Sequence, residues 1–434
     1  MLEKYRNAIR SNQFFKYSGR VSKIIGLMIE STGPAVEIGE VCEIFPIKKK
    51  MPIKAEVVGF NGDNVLLMPL GDMTGIGPGS LVVTTGKALQ VEVSEALLGR
   101  IIDGLGNPMD GLPPIVPEAF YPANNDPPNP LMRDRILEPL PLGVKAIDSL
   151  LTCGRGQRIG IFAGSGVGKS TLLGMIAKYT QADVNVISLV GERGREVREF
   201  IENELGEEGL KRSVVVVATS DQPALVRVKA ALISTAIAEY FRDIGKNVIL
   251  MMDSVTRFSM AQREIGLAIG EPPVTRGYTP SVFAVLPRLL ERAGNSDKGS
   301  ITGLYTVLVD GDDFNEPISD AVRGILDGHI MLSRKLAGLG HFPAIDIMDS
   351  TSRVMPNIID EEHLYAAIRF KEIFSTYKGS EDLINIGAYA QGSNKHIDLA
   401  ISKIDDFNGF LKQRIHETMS YEESVATLKQ LVKA

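Results

Sequence analysis

Hydrophobic and polar positions follow three different patterns along the chain. From Val21 to Val93 the apolar residues fall in short β-rich runs broken by glycine and proline: Lys23 to Ile29, Val36 to Phe45, Ile53 to Phe60, Asn64 to Met68 and Leu81 to Thr84. Close spacing with turn residues between predicts a small β-barrel or sandwich. After Pro113, prolines at 114, 117, 122, 127, 128, 130, 139 and 141 exclude a helix or a central strand and predict a linker draped over a surface. From Gln157 continuous apolar strands alternate with helices: strands Arg158 to Ala163, Val184 to Val190, Ser213 to Ala218 and Asn247 to Asp253, and helices Lys169 to Tyr179, Val197 to Leu205 and Ala224 to Asp243. Strands without polar alternation predict a parallel sheet covered on both faces. Beyond Pro356 the pattern is mainly helical, as in His363 to Phe374, Ile397 to Ile401 and Glu422 to Leu431. The expected fold class is α/β, in four segments: 1–20, a barrel over 21–95, a parallel-sheet domain over 96–356 that begins with the proline-rich linker, and a helical domain over 357–434.

The 434 residues fit three domains beside the short N-terminal segment, at roughly 150 residues per domain. Lys and Arg number 47 against 53 Asp and Glu, a net charge of −6, which speaks against a basic nucleic-acid coat or a polybasic membrane tether. The charge is uneven. Residues 1–23 hold six basic side chains against Glu3 alone, a local +5, leaving −11 on the remaining 411 residues. Two cysteines, Cys42 and Cys153, exclude a disulfide framework or a cysteine zinc site and fit a reducing compartment. The N-terminus lacks the apolar core of a signal peptide, and the longest apolar runs are strand-length, so a soluble, cytoplasmic protein is expected.

The strongest chemical signal is Ala163-Gly164-Ser165-Gly166-Val167-Gly168-Lys169-Ser170-Thr171, placed where a strand ends and a helix opens. This is a P-loop with one departure, Ala163 where the strict pattern has glycine; the change costs little if the backbone there is still extended. The glycines let consecutive N–H groups turn around phosphate oxygens, the helix N-terminus adds its dipole, Lys169 reaches the outer phosphates and Ser170 ligates Mg²⁺. Asn247 to Asp253 is an apolar strand ending in a carboxylate, which a parallel sheet brings to the same edge, so Asp253 is a candidate for the Mg²⁺ shell. Ser254 follows, with no acid to activate water. Glu192, just past the strand Val184 to Val190, is the candidate base. On the residues alone a second role stands level with it, a loop glutamate paired with Arg193 or Arg195.

Three segments carry a family resemblance: Gly191-Glu192-Arg193-Gly194-Arg195-Glu196, Asp253-Ser254-Val255-Thr256-Arg257 and Asp349-Ser350-Thr351-Ser352-Arg353. They resemble the catalytic subunits of rotary F-type and V-type ATPases. Pro127-Pro128-Asn129-Pro130, Ala261 to Ala268, Gly270-Glu271-Pro272-Pro273, Gly277 to Phe283 and Gly311 to Pro317 narrow the resemblance to the type III secretion relatives, above all the flagellar protein export ATPases. It covers nearly the whole chain. It implies a RecA-like P-loop core, ATP and Mg²⁺ as substrate and cofactor, and a ring of six identical subunits with ATP held at each boundary. It favours the catalytic role for Glu192 and adds Arg193 to the catalytic set. It makes Arg353 an arginine finger reaching the neighbour's site and Phe342 the aromatic that stacks on adenine, with Phe410 a weaker candidate for that pocket. No acidic helix-turn-helix run lies between Leu364 and Gly392, which favours the export branch over a proton-driven rotor.

The N-terminal residues Leu2, Tyr5, Ile9, Phe14 and Phe15, with Lys4, Arg6 and Arg10 beside them, predict a short amphipathic helix. The resemblance implies that it docks a stator-like regulator, and its basic face suits peripheral contact with anionic lipid at the inner face of the cell membrane. The further partners so implied are a coiled-coil central stalk protein, an export gate and export substrate or chaperone complexes, with no nucleic acid. The five histidines show no metal-ligand spacing. Two alternatives remain: a virulence injectisome ATPase, which shares almost every motif, and an RNA-translocating ring, for which the barrel lacks a basic and aromatic platform.

Overall fold

The computed structural model describes residues 16–47, 51–309, 313 and 316–433. Six strands, β1 (Ser18–Ile25), β2 (Met28–Thr32), β3 (Glu40–Phe45), β4 (Ile53–Asn61), β5 (Asn64–Pro69) and β6 (Leu81–Ala88), close a barrel in the order β1-β2-β5-β4-β3-β6. Ile29, Ile44, Val57, Leu67 and Val82 fill it and are wholly buried; each large aliphatic side chain so buried contributes about 1.5–3 kcal/mol. The expected strand Lys23 to Ile29 is in fact a hairpin that turns at Gly26 and Leu27, Gly26 taking φ +57°. An apolar run that continues through a two-residue turn hides it. The expected strand from Val36 begins only at Glu40, after Gly39 at φ +87°. Beyond the barrel, β7 (Gln90–Val93) pairs with β9 (Ala119–Pro122) as a two-stranded ribbon, and β8 (Ile101–Asp103) joins the edge of the main sheet.

That sheet contains β10 (Arg158–Ala163), β11 (Val184–Val190), β12 (Ser213–Ala218), β13 (Asn247–Asp253), β14 (Gly294–Asn295), β15 (Ser300–Leu308), β16 (Gly328–Leu332) and β17 (Ile345–Ser352). Its order is β17-β16-β10-β15-β13-β11-β12-β8, parallel except for β17 at one edge and the short β14, both antiparallel. The expected helices Lys169–Tyr179 and Ala224–Asp243 form as read. The expected helix Val197 to Leu205 does not form as one α-helix. It starts earlier, at Gly194–Glu199, passes through a π turn at Phe200–Leu205 and resumes as α over Gly206–Lys211. A π turn adds a residue without altering the apolar pattern, so periodicity does not reveal it.

The C-terminal helices Glu361–Asn385, Lys395–Leu411 and Tyr421–Leu431 pack around Phe370, Phe374, Phe407 and Phe410, with the Phe370 and Phe407 rings stacked 4.0 Å apart. Barrel and core are joined by a buried ion pair, Lys229 Nζ to Glu56 Oε2 at 2.6 Å. The residues expected to form the N-terminal helix, and most of Gly311 to Pro317, lie outside the described residues.

Candidate nucleotide site

The phosphate end of the site is built by the sheet. β10 runs parallel to β15 and β16, in register Ala163↔Leu308 and Ala163↔Leu332, so Ala163 is the last residue of an ordinary buried strand. A backbone still extended there has no need of glycine, which accounts for the departure from the strict motif. The chain then leaves the strand, with Gly166 at φ +78° and Gly168 at φ +88°, before the helix Lys169–Tyr179 begins. Left-handed values at both positions aim successive N–H groups into one concavity at a helix N-terminus, the geometry that binds phosphate. A cleft of about 490 Å³ opens over this loop, lined also by Glu192, Arg193, Glu196, Asp253 and Arg257.

Three ionisable groups meet in the cleft. β15 lies between β10 and β13, and Lys169 reaches across it: its Nζ sits 2.5 Å from Asp253 Oδ1 and 3.6 Å from Glu192 Oε1. Thr306 on β15 fixes Asp253 by donating from Oγ1 to Oδ1 at 2.7 Å. β11 pairs with β13 as Leu189↔Asp253, which brings Glu192 to the same edge. Burial opposes the Lys169 charge, but the two carboxylates more than offset it and raise its pKa. For Glu192, burial pushes the carboxyl up and Lys169 pulls it down. The Asp253 and Glu196 carboxylates push it up again, to about 7. Arg193 is exposed and pairs with Glu196 at 3.2 Å, not with Glu192.

A second cavity, about 870 Å³, adjoins the first at Gly168 and Thr171. Leu172 and Met175 of the P-loop helix, Phe342, Pro343 and residues 412–417 line it. Phe342 is 45% exposed, and its ring packs over Gly168, where an added Cβ would sit 3.5 Å from Cδ1 and Cε1. Phe410 lines neither cavity. It is 6% exposed in the aromatic cluster of the C-terminal helices, which removes it as a base-stacking candidate: its apolar neighbours claim the ring first. Arg353 also lies away from both cavities. It is exposed, and its Nη1 donates to the Leu326 carbonyl at 3.3 Å.

Matches to family models span most of the chain. Residues 143–352 match the ATP synthase alpha/beta family nucleotide-binding domain, residues 21–86 the beta-barrel domain of that family and residues 359–430 the T3SS EscN ATPase C-terminal domain. The chain belongs to the ATP synthase alpha/beta family, in its type III secretion branch. The flagellum-specific ATP synthase of Bacillus subtilis (strain 168) is 60% identical over 98% of this chain and 97% of its own. The type 3 secretion system ATPase of Xanthomonas euvesicatoria is 52% identical over 94% and 93%. The solved structure of the assembled ATPase EscN from enteropathogenic E. coli superposes with a TM-score of 0.90 at 49% identity, covering 96% of this chain and all of that one.

Within this family of ATP-hydrolysing enzymes, the placements of two residues at the cleft, Glu204 and Arg257, escape a reading of the sequence. Thr171 Oγ1 donates to Glu204 Oε1 at 2.9 Å, and Glu204 stands in the π turn, pressed so close to Gly174 that an added Cβ there would lie 2.8 Å from its own. Arg257 packs on Gly191, lines the cleft and has an Nε with no hydrogen-bond partner. Gly174 and Gly191, where a side chain would collide with Glu204 and Arg257, are the local signals of these placements. Among the described residues no cluster of three or more His, Cys, Asp or Glu could hold a metal alone. Ser170, exposed at the start of the helix, and Asp253, 4% exposed with one ammonium partner, do fit Mg²⁺ as phosphate sites hold it, through a carboxylate, a hydroxyl, waters and phosphate oxygens. No helix among the described residues is long and apolar enough to cross a membrane.

Proposed function

We propose that the protein hydrolyses ATP with Mg²⁺ to energise protein export by a flagellar type III secretion apparatus. The observation that carries this reading is full-length identity of 60% to a flagellum-specific ATP synthase. The cradle of Gly164, Ser165, Gly166, Val167, Gly168, Lys169, Ser170 and Thr171 takes the phosphates and Phe342 the adenine. Glu192 positions and deprotonates the attacking water, and Arg193 assists at the rim. Bound through Ser170 and Asp253, Mg²⁺ would neutralise charge building on the phosphate oxygens. Lys169, held by two acids in this structure, turns to the phosphates when they arrive, and that exchange frees Glu192 to act on water.

The functional unit is a homohexamer, supported by the likeness to assembled EscN, with Arg353 completing the neighbour's site. EscN has also been solved in complex with its central stalk EscO, with a TM-score of 0.89 to this chain, so a stalk of that kind is the expected axial partner here. The basic N-terminal segment serves a stator-like regulator and peripheral membrane contact, and the export gate and substrate or chaperone complexes complete the partner set. A second reading, an injectisome ATPase, rests on the 52% identity to a type 3 secretion system ATPase. Gene deletion separates the two. Loss of motility and hook export is expected; retained motility with loss of effector secretion would assign the injectisome.

A further inference from the structure

The roof of the base cavity comes from the C-terminal helical region, yet it is tied to the P-loop region by bonds that no sequence motif predicts. After the helix Lys395–Leu411 the chain crosses the cavity as residues 412–417. Gln413, 5% exposed, accepts from the Lys145 backbone N–H at 2.8 Å and donates Nε2 to the Gly143 carbonyl at 2.9 Å. Its own backbone N–H donates to the carbonyl of Phe342 at 3.0 Å. Tyr179, the last residue of the P-loop helix, donates its hydroxyl to the Ile415 carbonyl at 2.9 Å. The far end of the loop is closed by charge: Lys145 Nζ lies 2.6 Å from Glu417 Oε1, and Glu417 Oε2 accepts from the Arg414 N–H at 3.0 Å.

The wall that receives the roof is itself rigid. Asp148, wholly buried, accepts the N–H groups of Leu142 and Gly143 at 2.8 and 2.9 Å. Gly143 takes φ +76°, and an added Cβ would meet Tyr179 Cβ at 2.3 Å. Lys145 is 6% exposed and therefore loses most of its hydration, while the Glu417 side chain is 38% exposed. A half-screened pair with one desolvated partner adds little to stability. What it supplies is position: an ammonium fixed to a rigid wall holds the outer end of the roof down on the cavity.

We propose that Lys145 and Glu417 form a latch that sets the height of the roof over the nucleotide base, so that both are positioning residues for nucleotide affinity, acting through loop 412–417 and not on the phosphates. This rests on reading the 870 Å³ cavity as the base site. Neither residue lines the phosphate cleft, so the latch bears on ground-state binding, and KM is the quantity it moves. The Lys145 hydrogen bond holds the Glu417 carboxyl below its ordinary range, so the latch stays closed at neutral pH.

The test uses the full-length protein with two ligands, MgATP and inorganic tripolyphosphate, which carries the phosphates without a base. Glu417→Gln and Lys145→Met are each expected to raise KM and Kd for ATP about tenfold, with kcat held within about twofold and tripolyphosphate affinity unchanged. The exchanged pair Lys145→Glu/Glu417→Lys is expected to recover part of the ATP affinity. Equal loss of both ligands, a fall in kcat alone, or no change in Glu417→Gln would overturn the latch; Glu417→Gln removes only charge at a half-exposed site and so serves if Lys145→Met folds poorly. Phe342→Ala tests the underlying reading separately. If it leaves ATP affinity intact, the cavity is not the base site and the latch falls with it; if it weakens ATP while Glu417→Gln does not, the latch alone is wrong.

Discussion

A carboxyl that titrates near 7 changes charge across the working range of a cell, and Glu192 is such a group because burial and two neighbouring carboxylates outweigh the ammonium of Lys169. In the role proposed for it, Glu192 acts as a base in its ionised form, so activity is expected to be lost as pH falls through about 7. We expect kcat/KM to rise about tenfold per pH unit below that point and to level above it. Glu192→Gln should lower kcat by about 10²–10⁴ while retaining ATP binding, and should flatten the profile; the same inflection in the variant would place the titrating group elsewhere. Lys169→Ala removes a cation that Asp253 and Glu192 share. Turnover should fall below detection with the circular dichroism spectrum preserved, and near-normal hydrolysis would remove Lys169 from the machinery. At this scale the sequence was legible in part. The P-loop and Asp253 follow from strand ends and motif spacing, but that Glu192 pairs with neither Arg193 nor Arg195 shows only in the structure, where those arginines lie on Glu196 and Glu199.

Elements of the core were readable because each strand is a continuous apolar run bounded by turns, so Arg158–Ala163, Val184–Val190, Ser213–Ala218 and Asn247–Asp253 form with the bounds read from the sequence. The hairpin at Gly26 and the π turn at Phe200–Leu205 were not, because neither interrupts its apolar pattern. The base side of the site was hidden for another reason: Lys145 meets Gln413 and Glu417 across 268 and 272 positions, and no local rule links them. The proline-rich stretch shows how far such tertiary bonds go. Arg292 grips Glu239 of the helix Ala224–Asp243 with two 2.8 Å bonds, both side chains 1% exposed, and gives its remaining nitrogen to the Ala123 carbonyl. Asn125 adds a bond to the same carboxylate. The linker is thereby fastened to the core. Arg292→Met leaves that carboxylate buried without its partner and should cost about 3–5 kcal/mol in urea unfolding, while Arg292→Met/Glu239→Met should regain most of it. A double variant as unstable as the single would show that packing of the linker, not charge, is what the arginine supplies.

At the scale of the whole molecule, the finger role proposed for Arg353 sets a requirement that a single chain does not meet. Arg353 directly follows β17 at the antiparallel edge of the sheet, exposed and held to the Leu326 carbonyl, outside the cleft that contains Lys169, Glu192 and Asp253. If it acts in catalysis, it acts on a neighbouring copy, and a head-to-tail ring is the closed assembly that gives every site such a neighbour. Arg353→Ala should then bind ATP normally and lose about 10³–10⁵ in turnover. Mixing it with Lys169→Ala is the decisive arrangement, since each variant lacks what the other retains. In randomly assembled mixed rings about a quarter of the boundaries join an intact P-loop to an intact Arg353, so activity should return to about a quarter of the wild-type value. Differently tagged variants that co-purify yet stay inactive would show that Arg353 serves its own chain, and the ring would lose its catalytic reason for placing ATP at the boundary.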